Sequence, residues 1–453
     1  MQIQQISISG LFGIFDHVIP LNVDERITII HGPNGFGKTA MLRMLNGFFN
    51  SRYSIFRTIP FTKFRVEFDN GNSVEVVKSP ENSEKLKKRD NINFDFYKSS
   101  LEKVSFSLSV IKNPSDLDFP VDSLDDITPE LRRVSSKTWR YLPTGETLSL
   151  EEVMDRFEDF LPSRIRKLQE EPDWLESLKN DIHVRLIESQ RLLNIIPRRS
   201  SRMSSGISSM LPTVSAYSEE IAQLIQSKLA EYGTTSQSLD RSFPGRVVQQ
   251  QLSPDLTDEQ LRHQLNKLEA TRSRLIEVGL LDKDENSDFQ IQQQSIDEST
   301  RNILSVYVED VEKKLNVFSE IASKIDLLRR IVNNKFAYSY KEMNFNKEKG
   351  FVFKTLYHPS SSDRDALSPT DLSSGEQHEL VLLYELLFKV QPNSLVLIDE
   401  PELSLHVGWQ AQFLKDLQEI TKLADLDVLM ATHSPDIIQD RWDLTVELKG
   451  PEK

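Results

Sequence analysis

The sequence predicts an α/β fold with an antiparallel β layer and a short helical coiled-coil insert, and three observations lead to this class. Residues 27–30 form a β-branched run that passes through a glycine-rich turn into apolar residues at helical spacing. Residues 395–398 form a second, fully apolar run, as in a buried parallel strand. Between these runs, residues 214–335 have helical periodicity. Two distant segments are therefore expected to share one sheet.

The composition is that of a globular chain with an acidic balance. Its 453 residues are expected to form two or three packed units. With 69 acidic and 55 basic residues, a formal charge of -14, the overall field repels a nucleic-acid backbone, so any DNA contact requires a local patch. The absence of cysteine excludes disulfides and thiolate metal sites. Because no secretory signal or bilayer-spanning apolar run is present, we expect a cytoplasmic protein without membrane contact.

The glycine-rich turn matches the pattern G-x-x-x-x-G-K-[ST] from Gly32 to Thr39. Glycines let backbone amides surround phosphates, and the helix that follows adds partial positive charge at its N-terminus. Lys38 is expected to reach the β- and γ-phosphates of ATP, and the Thr39 hydroxyl to bind Mg²⁺. The alternative is a turn before a core helix, with Lys38 only solvated. The predicted nucleotide-binding residues are Gly32, Pro33, Asn34, Gly35, Phe36, Gly37, Lys38, Thr39 and Ala40.

A pair of carboxylates, Asp399 and Glu400, directly follows the second apolar run. Open α/β sheets bind ligands at the carboxyl ends of their strands, which is where these side chains are expected. Asp399 would hold the Mg²⁺ shell, and Glu400 would be a catalytic residue that polarises the attacking water. The alternative is a pair of acids that caps a helix.

A third apolar run, residues 428–431, ends at Thr432 and His433. A lone histidine is usually structural. Here it follows a strand that comes after the carboxylate strand, so the sequence favours a catalytic His433 that hydrogen-bonds the γ-phosphate or the attacking water.

Four motifs in this order resemble the ABC-type P-loop ATPases of the SMC, RecF and OLD class. The sequence GPNGFGKT resembles their Walker A loop, LSSGEQ at residues 372–377 their signature motif, LIDEPE their Walker B strand and THS their switch-histidine loop. The resemblance implies an ABC-type ATPase head that hydrolyses ATP with Mg²⁺. It also implies that Ser373, Gly375 and Glu376 contact nucleotide held by a facing copy, in a homodimer or a higher homo-oligomer.

The same resemblance suggests one more ligand and shows two departures. Gln190 ends the strand of HVRLIESQ and stands where the family has a Q-loop glutamine that binds Mg²⁺; the alternative is a frayed strand end. Ser374 stands where many relatives have glycine. His406 stands where many have aspartate, which leaves open how paired sites communicate.

The segments between the motifs divide the chain into three predicted domains: residues 1–193 and 336–453 as two ATPase lobes, and residues 194–335 as the helical insert. The alternation over 61–78 around Asn70-Gly71 predicts a β-hairpin, and strands are expected to about residue 150. A second hairpin is predicted over 338–355. The heptad-like series over 304–325 predicts a short coiled coil, and Pro244 and Gly245 predict a turn over 239–246.

The resemblance extends to a biological task, with one alternative. A compact ATPase with a short insert and the signature LSSGEQH resembles the ATPase subunits of anti-phage systems such as PARIS and Septu. That class implies a separate effector, a nuclease, and a phage protein as trigger. Because only twenty residues follow His433 in this sequence, we expect the nuclease to be a separate polypeptide. The alternative is an ATPase of DNA repair or DNA tethering, of the RecF or SMC kind, which predicts DNA binding.

Overall fold

The computed structural model describes residues 1–78, 92–98, 102–107, 131–135, 138–142, 145, 147–149, 153, 171–187, 212–249, 257–283, 297–356, 366–403 and 405–451. The chain divides into two units. The first unit contains residues 1–189, 390–403 and 410–453, and the second contains residues 190–389 and 404–409. Both units are discontinuous in sequence, since the chain leaves the first unit and later returns to it. The predicted three-part division stays a prediction.

The elements are named in chain order. The strands are β1 (Ile3–Leu11), β2 (Phe15–Pro20), β3 (Ile27–His31), β4 (Lys63–Phe68), β5 (Ser73–Lys78), β6 (Ile92–Tyr97), β7 (Lys103–Ser107), β8 (Leu131–Ser135), β9 (Thr138–Tyr141), β10 (Thr147–Ser149), β11 (Val184–Ile187), β12 (Lys341–Asn346), β13 (Gly350–Thr355), β14 (Ala366–Leu367), β15 (Ser394–Asp399), β16 (Leu426–Thr432) and β17 (Thr445–Glu447). The α-helices are α1 (Lys38–Phe49), α2 (Ser54–Thr58), α3 (Asp173–Asp181), α4 (Thr213–Gln249), α5 (Asp258–Glu277), α6 (Glu298–Asn316), α7 (Ser319–Phe336), α8 (Ser374–Tyr384), α9 (Val407–Ala424) and α10 (Pro435–Ile438).

A parallel sheet in the order β11-β15-β16-β3-β17 forms the centre of the first unit. All residues of β15 are buried, which accounts for its unbroken apolar run. The register pairs Asp399 with Ala431, and Thr432 with His31. The carboxyl ends of three strands therefore meet at one edge of the sheet, although their sequences are far apart.

An antiparallel sheet in the order β2-β1-β4-β5-β6-β7 forms the second layer of this unit. The predicted hairpin over 61–78 is confirmed as β4 and β5, with Gly71 at φ 77° in the turn. Helix α1 shares one core with strands of both sheets, and its Leu42, Leu45 and Phe48 are fully buried. Burying each such side chain stabilises the fold by about 1.5–3 kcal/mol. This core fixes α1, and with it the glycine-rich loop.

A small sheet in the order β10-β9-β8 also belongs to the first unit. The sheet falls within the region where the sequence predicts strands, which extends to about residue 150. One face of this sheet is buried at Leu131, Trp139 and Leu148. The other face carries Arg132 directly opposite Arg140.

The second unit contains helices α4 to α8 and the hairpin β12–β13, which the sequence predicted within residues 338–355. Helix α4 packs against α6 and β13, α7 packs against β12, and α8 contacts both α4 and α7. The heptad-like series over 304–325 is divided between α6 and α7, since α6 ends at Asn316. The predicted fold class is confirmed: an α/β head with an antiparallel layer and a helical insert.

The predicted turn over 239–246 is wrong, because α4 continues through Pro244. Proline has no N–H to donate to the preceding turn. Contacts with α6 and within α4 hold the helix here. Arg246 Nη2 donates to Asp310 Oδ2 at 2.6 Å and to the Leu239 carbonyl at 2.8 Å, and Lys314 donates to Asp240 at 2.7 Å. Tertiary contacts therefore override the local preference.

None of the helices within the described ranges combines the length and the apolar character needed to cross a membrane.

Candidate nucleotide-binding and hydrolysis site

The Walker A loop, residues 32–39, connects β3 to α1 in a conformation that requires glycine. Gly35 and Gly37 have φ values of 87° and 90°, in the left-handed region that disfavours other residues. A Cβ atom at Gly37 would lie 2.3 Å from Leu11 Cδ2, and one at Gly32 would lie 3.1 Å from Leu448 Cβ. A Cβ atom at Gly35 would meet nothing within 4 Å. Packing therefore requires glycine at positions 32 and 37, whereas only the backbone angle requires it at position 35.

The Lys38 ammonium lies inside this loop. Its Nζ donates to the carbonyls of Gly32 at 2.7 Å and Pro33 at 3.1 Å, and the residue is only 4% exposed. Lys38 therefore does not have the solvated side chain of the alternative interpretation. Pro33, Asn34 and Gly35 form the exposed crest of the loop. The Lys38 charge and the exposed backbone of the loop lie close together, which is an arrangement that suits a polyphosphate.

Phe15 and His17 of β2, in the antiparallel layer, support the loop at Phe36. The rings of Phe15 and Phe36 lie 5.0 Å apart, and His17 Nε2 is 2.9 Å from the Phe36 carbonyl. Burial lowers the pKa of His17 and so favours the neutral ring. Since a carbonyl only accepts, Nε2 carries the proton and donates. The sequence analysis missed His17, because its contact with the loop depends on how β2 packs in the fold.

Thr39 and Asp399 come together although 360 residues separate them. Thr39 Oγ1 donates to Asp399 Oδ1 at 3.0 Å, at the carboxyl edge of the parallel sheet. Mg²⁺ prefers oxygen ligands and is bound in proteins through one or two carboxylates together with substrate phosphates. A hydroxyl and a carboxylate beside a phosphate-binding loop fit that ion. Among the described residues, no group of three or more His, Cys, Asp or Glu side chains could hold a metal without such phosphates.

Glu400 follows Asp399 in a strained conformation. Its φ is 42°, and its N–H donates to the Ala431 carbonyl at 2.9 Å. A non-glycine residue in this region costs about 1–3 kcal/mol and is held by its surroundings. The side chain is 24% exposed, so water can reach the carboxylate.

His433 lies at the end of β16, facing two carboxylates. Its Nδ1 is 3.0 Å from Glu402 Oε1 and 3.8 Å from Glu400 Oε1. Glu402 Oε1 also accepts the backbone N–H of His433 at 2.9 Å. The sequence analysis missed Glu402. The available signal was a further acid in the segment DEPE, residues 399–402, immediately after the carboxylate strand.

The signature turn, residues 372–377, lies in the second unit at the N-terminus of α8. Ser373 Oγ accepts the Glu376 amide at 3.4 Å, and the Glu376 carboxylate accepts the Ser373 amide at 2.8 Å, which is a capping box. Ser373 and Ser374 are exposed. Ser374 and Gly375 are the first two residues of α8, and the helix offers no internal acceptor to the amides of its first turn. The turn therefore presents exposed N–H donors.

Glu376 is oriented away from this exposed surface and is 3% exposed. Ser339 Oγ donates to its carboxylate at 2.6 Å and Lys341 Nζ at 2.7 Å. Burial opposes ionisation, but the hydrogen bonds from Lys341, Ser339 and Ser373 outweigh it and hold the pKa of Glu376 below its ordinary value. The carboxylate thus anchors the turn.

Two residues singled out by the resemblance remain. Gln190 lies outside the residues that the structure describes, so its role stays a prediction. His406 precedes α9: its Nδ1 accepts the Gly408 amide at 3.2 Å and its carbonyl accepts the Trp409 amide at 2.8 Å. His406 therefore caps a helix in this structure.

Fold and loop together define a P-loop nucleotide-binding head with carboxylates at the adjacent strand end. The chain belongs to the family described as AAA ATPase domain, whose model matches residues 1–438. This match confirms the predicted ATPase class. No curated protein matches the chain.

Solved structures that resemble the chain include SMC head domains. One is the Smc head domain with an extended coiled coil bound to the C-terminal domain of ScpA, from Pyrococcus furiosus, at 13% identity over 96% of this chain and 90% of that chain, with a TM-score of 0.32. Another is the SMC head domain from Thermotoga maritima, at 9% identity over 97% and 92%, with a TM-score of 0.33. These TM-scores are too low to support an inference about this chain.

Proposed function

We propose that this chain hydrolyses ATP at composite sites formed by two copies. One copy supplies the Walker A loop, Asp399, Glu400 and His433, and the other supplies Ser373 and Gly375. The contact that carries this proposal is the Thr39–Asp399 hydrogen bond of 3.0 Å, which joins a Walker A hydroxyl to a strand-end carboxylate. The exposed N-terminus of α8 supports the proposed contribution of Ser373 and Gly375 from the other copy, since helix N-termini bind anions.

The residues have distinct proposed roles. Lys38 and the loop amides bind the β- and γ-phosphates, and Thr39 and Asp399 hold Mg²⁺, with Gln190 as a further proposed ligand. The bound ion would neutralise charge on the phosphates. Glu400 orients and polarises the attacking water. His433 hydrogen-bonds the γ-phosphate or that water. Glu376 does not touch nucleotide in this scheme but fixes the position of Ser373.

Mixing two inactive variants tests the composite site. Lys38→Ala removes the Walker A ammonium, and Ser373→Arg blocks the signature turn, so each variant alone should lack activity. In a mixed dimer, the intact Walker A loop of one copy would meet the intact signature turn of the other. Random mixing should restore about a quarter of the parental rate, because half of the dimers are mixed and each has one intact site.

The matched control mixes Lys38→Ala with Glu400→Gln. Both substitutions fall in the first unit, so every mixed dimer has one defect in each Walker site and no activity should return. Recovery in this control, or none with Ser373→Arg, contradicts the composite site. Full activity of Ser373→Arg alone contradicts it as well.

We further propose that the ATPase controls a separate effector, a nuclease, in anti-phage defence, with a phage protein as trigger. The support is the resemblance of LSSGEQH and of the short helical insert to the ATPase subunits of such systems. Co-purification from native cells, with and without infection, tests this. A nuclease should copurify, and its cleavage should respond to Lys38→Ala. Nucleic-acid cleavage by the purified chain alone would contradict the proposal.

One observation favours the alternative, an ATPase that binds DNA. Arg132 and Arg140 lie directly opposite each other on the exposed face of the small sheet, and both are exposed. Like charges in this position are destabilising. Neither guanidinium has an acidic partner among the described residues. Two such cations on an acidic protein provide a local patch for phosphates.

Duplex binding by an Arg132→Gln/Arg140→Gln variant tests this alternative. If both arginines contact phosphates, the double variant should weaken binding and reduce the slope of log affinity against log salt by about 2. Arg133→Gln is the control, since Arg133 lies 5.7 Å from the Trp139 ring and donates to the Ser135 carbonyl. Equal salt slopes for parent and double variant would exclude this face as a DNA contact.

A further inference from the structure

Four buried polar residues of the first unit surround His433. Glu402, Gln410, Thr432 and Ser434 are each at most 9% exposed. Gln410 accepts from Ser434 Oγ at 2.9 Å and donates to the Glu402 carbonyl at 3.3 Å. The segment after β16 is thereby fixed to the segment after β15. The His433 side chain is 40% exposed and is the part of this group that solvent reaches.

Glu402 makes two contacts with the same residue. Its Oε1 accepts the backbone N–H of His433 at 2.9 Å and faces the ring Nδ1 at 3.0 Å. A carboxylate presents only lone pairs, so an approach of 3.0 Å favours the ring form with its proton on Nδ1. The opposite ring nitrogen, Nε2, then points away from Glu402. Ring orientation and proton position are both set by one side chain.

Accepting one backbone amide does not by itself account for a carboxylate at this buried position, because burying its charge costs free energy. Glu402 Oε2 is buried and has no hydrogen-bond partner among the described residues. Burial of a charge without compensation is unfavourable. The ring Nδ1 lies 3.0 Å from Glu402 Oε1, and a proton on that nitrogen would offset part of this cost. The ring contact, not the amide contact, is therefore the interaction that accounts for an acid here.

We propose that Glu402 is a positioning residue for hydrolysis, which holds His433 with Nδ1 protonated so that Nε2 is presented to the γ-phosphate or the attacking water. This rests on the proposed role of His433. Glu402 itself touches neither nucleotide nor water in this scheme. Second-layer carboxylates of this kind fix ring orientation and tautomer at other histidine sites.

Three variants separate positioning from a structural role. Glu402→Met removes the acceptor at similar volume, and we expect kcat for ATP to fall on the order of 10- to 100-fold while KM changes by less than about threefold. Glu402→Gln retains Oε1 as an acceptor and should keep kcat within about fivefold of the parent. Tyr53→Phe removes a hydroxyl that donates to Glu171 at 2.8 Å in the same unit without touching the ring, and should keep kcat while lowering stability.

A double-mutant cycle decides the outcome. If Glu402 acts through His433, Glu402→Met should add no further loss in a His433→Ala background. Additive losses overturn the inference, as does a Gln variant as slow as the Met variant or a loss that appears equally in KM. A His433→Ala variant at the parental rate overturns this inference and the proposed role of His433 together. Slow His433→Ala with additive losses overturns the inference alone.

Discussion

The Walker A loop and the signature turn both expose a helix N-terminus, yet they are held in opposite ways. The Walker A loop depends on backbone conformation, with Gly35 and Gly37 at positive φ. The signature turn has no residue at positive φ and depends on side chains, chiefly the Glu376 carboxylate and its four hydrogen-bond donors. An added methyl group should therefore disrupt the Walker A loop, whereas loss of a charge should disrupt the signature turn.

The largest expected effect concerns the ion pair beneath the signature turn. Lys335 and Glu379 form a salt bridge between α7 and α8, with side chains 1% and 0% exposed. Glu379→Ala leaves the Lys335 charge buried without its acid, so the free energy of unfolding should fall by about 3–5 kcal/mol. Chemical denaturation followed by circular dichroism measures this.

The control for this pair is Lys335→Met/Glu379→Leu, which replaces both charges by apolar groups. Its stability should be close to that of the parent, because the desolvation cost of both ions disappears with their attraction. A double variant as unstable as Glu379→Ala would mean that packing, not charge, dominates at this position.

The next effect compares two glycines of the Walker A loop. Gly37→Ala meets both an unfavourable φ of 90° and Leu11 Cδ2 at 2.3 Å, so ATP affinity should fall by about 100-fold. Gly35→Ala meets only the unfavourable φ of 87° and should lose about tenfold. Titration with a fluorescent ATP analogue measures both.

Equal losses of ATP affinity for the two variants would show that the backbone angle alone determines the requirement for glycine. Unchanged binding by Gly37→Ala would contradict the packing against Leu11. Both variants should also lower the melting temperature, and Gly37→Ala by more, since its added Cβ meets the buried Leu11 side chain.

A smaller effect depends on pH. The pKa of Glu376 lies below its ordinary value of 4.5 in the folded protein, so its ionised form stabilises the fold. That contribution is complete above the ordinary value and is lost as pH falls through the lower folded-state pKa. Glu376→Gln should therefore lower the free energy of unfolding by about 1–2 kcal/mol at pH 7, and by less as pH falls below 4.5.

Urea unfolding at a series of pH values tests this prediction. Lys341→Met should show a loss in the same direction, since Lys341 donates to Glu376 at 2.7 Å. A difference between parent and Glu376→Gln that grows towards acidic pH would contradict the stabilising role of the carboxylate.

The sequence predicted what local pattern determines. The β3–loop–α1 unit is specified by consecutive residues 27–49, and β15 by its apolar run before Asp399. The meeting of Asp399 and Thr39 was predictable as well, because the carboxyl ends of parallel strands share one edge. The hairpins at 63–78 and 341–355 followed from alternation and turn residues.

Sequence reasoning failed where distant residues decide the outcome. The passage of α4 through Pro244 depends on Asp310 and Lys314 of another helix, which no local rule contains. Glu402 escaped notice because its function depends on the fold bringing β15 and β16 side by side. The opposition of Arg132 and Arg140 likewise depends on strand register.

The smallest expected effect concerns an exposed salt bridge, Lys314–Asp240, which is compared with the buried Lys335–Glu379 pair. Lys314 Nζ lies 2.7 Å from Asp240 Oδ1, but the Asp240 side chain is 69% exposed. Solvent screens such a pair, so Lys314→Gln should lower the free energy of unfolding by less than about 1 kcal/mol, and by still less in high salt. Denaturation at two ionic strengths measures this, and a loss as large as that of Glu379→Ala would mean that exposure does not distinguish the two pairs.

Because Asp240 lies one helical turn before Pro244, a clear salt-dependent loss would also support the continuous helix, whereas a chain that turned at 239–246 has no reason to keep this pair.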